Sequence, residues 1–131
     1  MRMASVKTLL VTTLGLALSL PAIAHHSGAA YDRDKAVNVS GTVNAVEWTS
    51  PHAWIKVDAK NEAGTTVTWE FELPSPVTLT RRGWAKTTLV PGDQVTVTGA
   101  PAREHANIAV ATSVTDKGGK RLFGAAADSK E

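Results

Sequence analysis

From Val37 onward, apolar and polar positions alternate. Val37, Val39, Gly41, Val43 and Ala45 fall on one face, with Asn38, Ser40, Thr42 and Asn44 on the other. A period of two is the signature of a half-buried strand. The phase then reverses, because Val46 and Trp48 carry the opposite parity. A long strand that changes face midway predicts a bulge or sharp coil, as a strand shared around a small barrel requires. Residues 53 to 59 form a second strand, with Ile55 and Val57 inward and Lys56 and Asp58 outward. "KNEAG" turns the chain. Residues 66 to 73 alternate most cleanly, with Val67, Trp69, Phe71 and Leu73 on the inner face and Thr66, Thr68, Glu70 and Glu72 outside.

The pattern breaks at "PSPVTLTRRGW". Ser75 suits a helix N-cap, Pro76 the first helical position and Gly83 the left-handed residue past the last turn. Trp84 falls where the next residue of a Schellman ending packs back on Leu79. The spacing predicts a helix of about two turns, closed at both ends by local chemistry. "LVPGD" turns into a strand over residues 94 to 100, with Val95 and Val97 inward. Another strand covers 107 to 115, with Ile108, Val110 and Val114 inward. "DKGGK" then leads into "RLF", a short extra strand.

The order is three strands, a short helix and two strands. It predicts an all-β fold with one short helix, a five-stranded OB-fold-like barrel. A small β-sandwich is the alternative, but it leaves the mid-chain helix unexplained.

Residues 2 to 24 follow another rule. Arg2 and Lys7 precede an apolar stretch from Leu9 to Leu20, and Pro21 leads into Ala22-Ile23-Ala24. This is the pattern of a secretory signal peptide cleaved after Ala24. The apolar run is too short to span about 30 Å of hydrocarbon. The chain therefore divides into a signal peptide (1–24), a small, polar, extended N-terminal arm (25–36), the barrel (37–123) and a fraying tail (124–131). A periplasmic location is expected, with no membrane span after processing.

Cleavage removes two of the fourteen basic residues and none of the twelve acidic ones, so the processed chain is close to neutral. A neutral domain lacks the electrostatic footprint of a nucleic-acid binder, and nucleic acid is excluded as a partner on that ground. The chain has no cysteine. Its stability rests on its core, and thiolate metal sites and thiol catalysis are ruled out.

"AHHS", "GTVNAVEWTSPHAWI", "WEFELPSP", "RRGW", "PGDQVTVTG" and "GKRLF" together span nearly the whole processed chain. In combination they resemble a family of small exported bacterial proteins known only as a domain of unknown function. The family has Asn before the Pro-His pair, where this chain has Ser50. The resemblance implies export and one compact β-barrel. It implies no established activity.

Four histidines are the candidate ligands: His25, His26, His52 and His105. After cleavage His25 offers an α-amine and an imidazole that can chelate one metal ion, with His52 or His105 as a third nitrogen. The amine and imidazole of His26, with its backbone nitrogen, are an alternative set. Nitrogen ligands of this kind favour copper. The competing reading is that these are ordinary solvated residues at a chain start.

The second candidate is "EWTSPHAW", which joins the first two strands at one mouth of the barrel. OB-folds use this mouth for ligands. Trp48 and Trp54 would rim His52, with Glu47 nearby, to hold a small ligand or a periplasmic protein. Both tryptophans equally suit packing. Trp69 reads as core and Trp84 as a helix-end plug. Arg81 and Arg82 complement the helix dipole. No catalytic constellation emerges. Ser75 is a cap, and Glu70 and Glu72 share an outer face that nothing encloses.

Overall fold

The computed structural model describes residues 27–124. Six strands form one sheet: β1 (Val37–Glu47), β2 (Trp54–Lys60), β3 (Thr66–Glu72), β4 (Gln94–Pro101), β5 (Ile108–Asp116) and β6 (Arg121–Phe123). The spatial order is β3-β2-β1-β4-β5-β6, and β3 also pairs with β5. That last pairing is parallel, Glu70 to Glu72 against Ile108 to Val110, and it closes a five-stranded barrel of mixed direction. β6 adds to the far edge of β5. The architecture is the OB-fold-like barrel that the element order predicts.

β1 is the shared strand. Its first half pairs with β4, from Val37 opposite Gly99 to Thr42 opposite Gln94. Its second half pairs with β2, from Thr42 opposite Asp58 to Glu47 opposite Trp54. The register slips between Val43 and Ala45, so Asn44 is the extra residue of a bulge, where the apolar phase reverses. Gly41 sits next to the point where β1 passes from pairing with β4 to pairing with β2. A Cβ there would overlap the carbonyl oxygen of Asp58 and crowd Val57.

The core is contributed by every strand of the barrel. Val43, Ile55, Val57, Phe71, Val97 and Val114 are fully buried, together with Leu73 and Leu79. Leu79 belongs to the helix α2 (Pro76–Arg81); a single turn, α1 (Ser27–Ala30), precedes the barrel. The Ser75 side chain accepts a hydrogen bond from the Thr78 N–H at the start of α2. At its end the Gly83 N–H donates to Thr80 and the Trp84 N–H to Leu79, the two bonds of a Schellman motif. Gly83 has φ of 87°. Trp84 is buried against the core, and its Nε1–H donates to the Leu122 carbonyl at 2.6 Å. Arg82 does more than face a dipole. Its guanidinium lies 5.4 Å from the centre of the Phe123 ring.

Two expectations change. On β5, Ala109 and Ala111 are buried while Ile108 and Val110 are only half-buried. A register slip opposite Gly99 makes Thr112 the extra residue, so the inward phase of Val114 does not extend back through the strand. The small side chains face inward because β4 and β5 approach closely there: a Cβ on Gly99 would collide with the Val110 carbonyl. The arm also differs from a purely extended segment. α1 is helical, and Tyr31 bridges to Ala102 and is buried. The Asp32 N–H donates to the Pro101 carbonyl and the Arg103 N–H to the Ala30 carbonyl. Asp32 further pairs with Lys35 and Arg103. The expected signal peptide and residues 125 to 131 of the expected tail lie outside the described residues.

Candidate functional site

The loop between β1 and β2 carries His52. Ladder bonds hold its end past the regular strands: the Leu73 N–H donates to the Ala53 carbonyl at 2.8 Å, and the Ala53 N–H donates to Pro74 at 3.2 Å. His52 is thereby fixed beside the end of β3. Its Nδ1 lies 3.2 Å from the Leu73 carbonyl oxygen and 3.2 Å from Glu72 Oε1.

Glu72 is the one buried carboxylate among the described residues, 7% exposed. By strand parity it belongs to the outer face with Glu70. It is enclosed because the arm crosses that face and lays Tyr31 over it. The Tyr31 hydroxyl donates to Glu72 Oε2 in a short hydrogen bond. A buried carboxylate is costly unless both oxygens find donors. Here Oε2 takes the phenol O–H, and Oε1 lies 3.2 Å from His52 Nδ1, in reach of a charged imidazole. Burial first, and Glu72 second, hold the Tyr31 hydroxyl well above the usual phenol value, so it stays a donor at neutral pH. Both neighbours of His52 Nδ1 are acceptors, so Nδ1 carries the hydrogen. In the neutral ring that leaves Nε2 with a free lone pair.

Glu72 and Tyr31 are the residues that sequence reasoning missed, and the expectation that nothing encloses Glu72 is corrected. One signal existed. Tyr31 is the sole tyrosine of the chain, an aromatic in a segment of small and charged residues. An isolated aromatic in an aperiodic arm is a docking residue in search of a pocket.

The other candidates lie elsewhere. Glu47 is taken by Lys56, whose Nζ is 2.9 Å away and also faces Glu70 at 3.9 Å. Trp48 is half-buried against the core. Trp54 opens β2 and lines a cleft of about 440 Å³ with Tyr31, Ile108, Ala29, Ala30 and the exposed His105. His52 lines a different pocket, of about 290 Å³, with Tyr31, Glu72, Arg33 and the apolar Leu73, Pro74, Val110, Ala111 and Phe123. Trp54, expected with Trp48 to rim His52, therefore lines a different cavity from it. Trp54 opens β2, Trp48 lies just past the end of β1, and the walls beside His52 come from β3, β5 and β6. Trp69 is half-buried rather than core, stacked on Phe71 with ring centres 5.9 Å apart. His52 and His105 line separate cavities, each bordered by Tyr31. Among the described residues no three His, Asp or Glu side chains converge as a metal cluster. His25 and His26 lie outside the described residues.

A family model described as a family of unknown function (DUF6152) matches residues 14–111. No curated protein matches the chain. Among solved structures, a mitochondrial single-stranded DNA binding protein from S. cerevisiae, Rim1, is similar at 10% identity. The match covers 70% of this chain and 96% of that one, with a TM-score of 0.48. The exclusion of nucleic acid on charge grounds is withdrawn. Net charge averages over the whole surface, whereas single strands are held by a local basic groove and stacked aromatic rings.

Proposed function

We propose that this chain, which belongs to the family of unknown function DUF6152, is an exported binding module that holds a metal ion, copper favoured, at His52. The observation that carries this reading is the state of the imidazole. Nδ1–H donates to the Leu73 carbonyl with Glu72 Oε1 3.2 Å away, which fixes the ring and leaves Nε2 as an oriented ligand nitrogen. Carboxylate–imidazole pairs of this form orient metal-binding histidines and raise their basicity.

The remaining ligands come from the start of the processed chain. Cleavage after Ala24 frees the α-amine of His25, and metal binding displaces its proton near neutral pH. Five residues separate His25 from Tyr31, four of them in the turn α1, so the reach is below the length of a fully extended segment, about 20 Å. Tyr31 is anchored on the carboxylate that holds His52. The arm thus starts from the correct side of the barrel to deliver an amine and an imidazole, from His25 or His26. Imidazole and amine nitrogens favour copper among the divalent ions. The leader pattern of residues 1–24 supports export and a periplasmic location. Among the described residues no helix is long and apolar enough to cross a membrane.

The test compares a chain beginning at His25, the same chain with one residue added in front, and His52→Ala. Each is titrated with Cu(II) and examined by EPR. The extension and His52→Ala should each weaken binding by about tenfold or more, a loss of at least 1.4 kcal/mol, and change the nitrogen couplings. Identical spectra and affinities across the three would sink the reading.

A second reading is favoured by the cleft at Trp54, whose lining with Ile108 and Tyr31 is mostly apolar. There the barrel holds a small ligand or a periplasmic protein, and the histidines are incidental. Trp54→Ala, with its fold verified by circular dichroism, should then lose capture of partners from a periplasmic extract while keeping its Cu(II) titration unchanged.

A further inference from the structure

The pocket beside His52 carries a second chemistry, independent of any metal. Its apolar wall is made by Leu73, Val110, Ala111 and Phe123, and its volume of about 290 Å³ suits a small molecule. Its polar groups are unequal. Tyr31, Glu72 and His52 Nδ1 already satisfy one another and ask nothing of a ligand. Arg33 is different. It is exposed at the rim and has no hydrogen-bond or ion-pair partner among the described residues. The neighbouring Asp32 does not neutralise it, being engaged by Lys35 and Arg103. A second guanidinium, Arg82, lies over the ring of Phe123, which forms part of the same wall.

A pocket with an apolar floor and an unpaired guanidinium at its mouth selects an amphiphilic anion. A guanidinium fork matches the planar geometry of a carboxylate. The nearby Glu72 disfavours a doubly charged head group and directs the ligand's charge outward to Arg33. We propose that this pocket binds a small monocarboxylic acid, its hydrocarbon body against Leu73, Val110 and Phe123 and its carboxylate paired with Arg33.

The test uses the chain with a chelator present, so it stands apart from the copper reading. Phenylacetate and its neutral isostere phenylacetamide are titrated into the ¹⁵N-labelled protein. Phenylacetate should shift the amide resonances of Leu73, Val110 and Phe123 and bind about tenfold tighter than the amide, as a charge-assisted contact predicts. Arg33→Ala, a change at an exposed side chain without partners, should abolish that preference while the rest of the spectrum stays in place. Arg33→Lys should restore part of it. Equal binding of the two probes, absence of shifts with either, shifts confined to the Trp54 and His105 cleft, or a preference that survives Arg33→Ala would each overturn the proposal. A failure here leaves the EPR comparison untouched, and a failed EPR comparison leaves this pocket's selectivity standing.

Discussion

Tyr31→Phe isolates the contact on which the site is built. The ring stays, so the buried apolar area is nearly unchanged; what goes is one O–H. Tyr31 is 5% exposed and Glu72 7% exposed, so water does not readily replace the lost donor. Hydrogen bonds to charged groups contribute about 1.5–3 kcal/mol, and the value here should be about 2 kcal/mol because the His52 imidazole still lies beside the other oxygen. For a domain of this size that lowers the melting temperature by roughly 8–16 °C. The assay is urea denaturation at neutral pH on Tyr31→Phe, Glu72→Gln and the double variant. In the cycle the coupling between positions 31 and 72 should be about 1–2 kcal/mol, since the amide introduced by Glu72→Gln still accepts from the phenol but carries no charge. Coupling within about 0.3 kcal/mol of zero, the usual deviation for independent sites, would refute the claim that Tyr31 holds the carboxylate.

Gly41→Ala should cost about 3 kcal/mol or more, because its Cβ meets backbone, not a movable side chain; a thermal melt close to that of the native chain would count against the coil at β1. Trp84→Phe removes the bond to Leu122 and should cost about 1–2 kcal/mol, with faster amide exchange in β6 than in β4 as the local readout. Asp58 governs part of the acid limb. Donation first from the Asn44 amide and then from the Thr68 hydroxyl holds its carboxyl below the usual value. A depressed folded value means a contribution present above the unfolded value of 3.8 and lost as pH falls through the folded one. The stability gap between the native chain and Asn44→Ala should therefore narrow below about pH 4; a gap constant with pH would contradict it.

Local chemistry was legible in the chain itself. Alternation located β1 to β4, because apolar period reports which face of a strand leaves water. The caps of α2 were readable residue by residue, since Ser75, Gly83 and Trp84 act on their immediate neighbours. The reversal of phase in β1 announced its bulge at Asn44. β5 shows the limit of the method. Two alanines carry its inward face, and alanine is too small to declare a side in competition with Ile108 and Val110.

The candidate site was hidden for a different reason. Period assigns Glu72 to the outer face and does so correctly, but says nothing of what lies over that face. That depends on a segment with no period, docked from 41 residues away by one tyrosine. Strand positions, turns and caps, and the faces of β1 to β4, were thus determined by the sequence alone, because each rests on neighbours within a few residues. The enclosure of Glu72, the fixed tautomer of His52 and the separate cavities of His52 and Trp54 were decided only in three dimensions. Each arises where distant segments close over the same few cubic ångströms, and a carboxylate there must take its donors from whichever chain arrives.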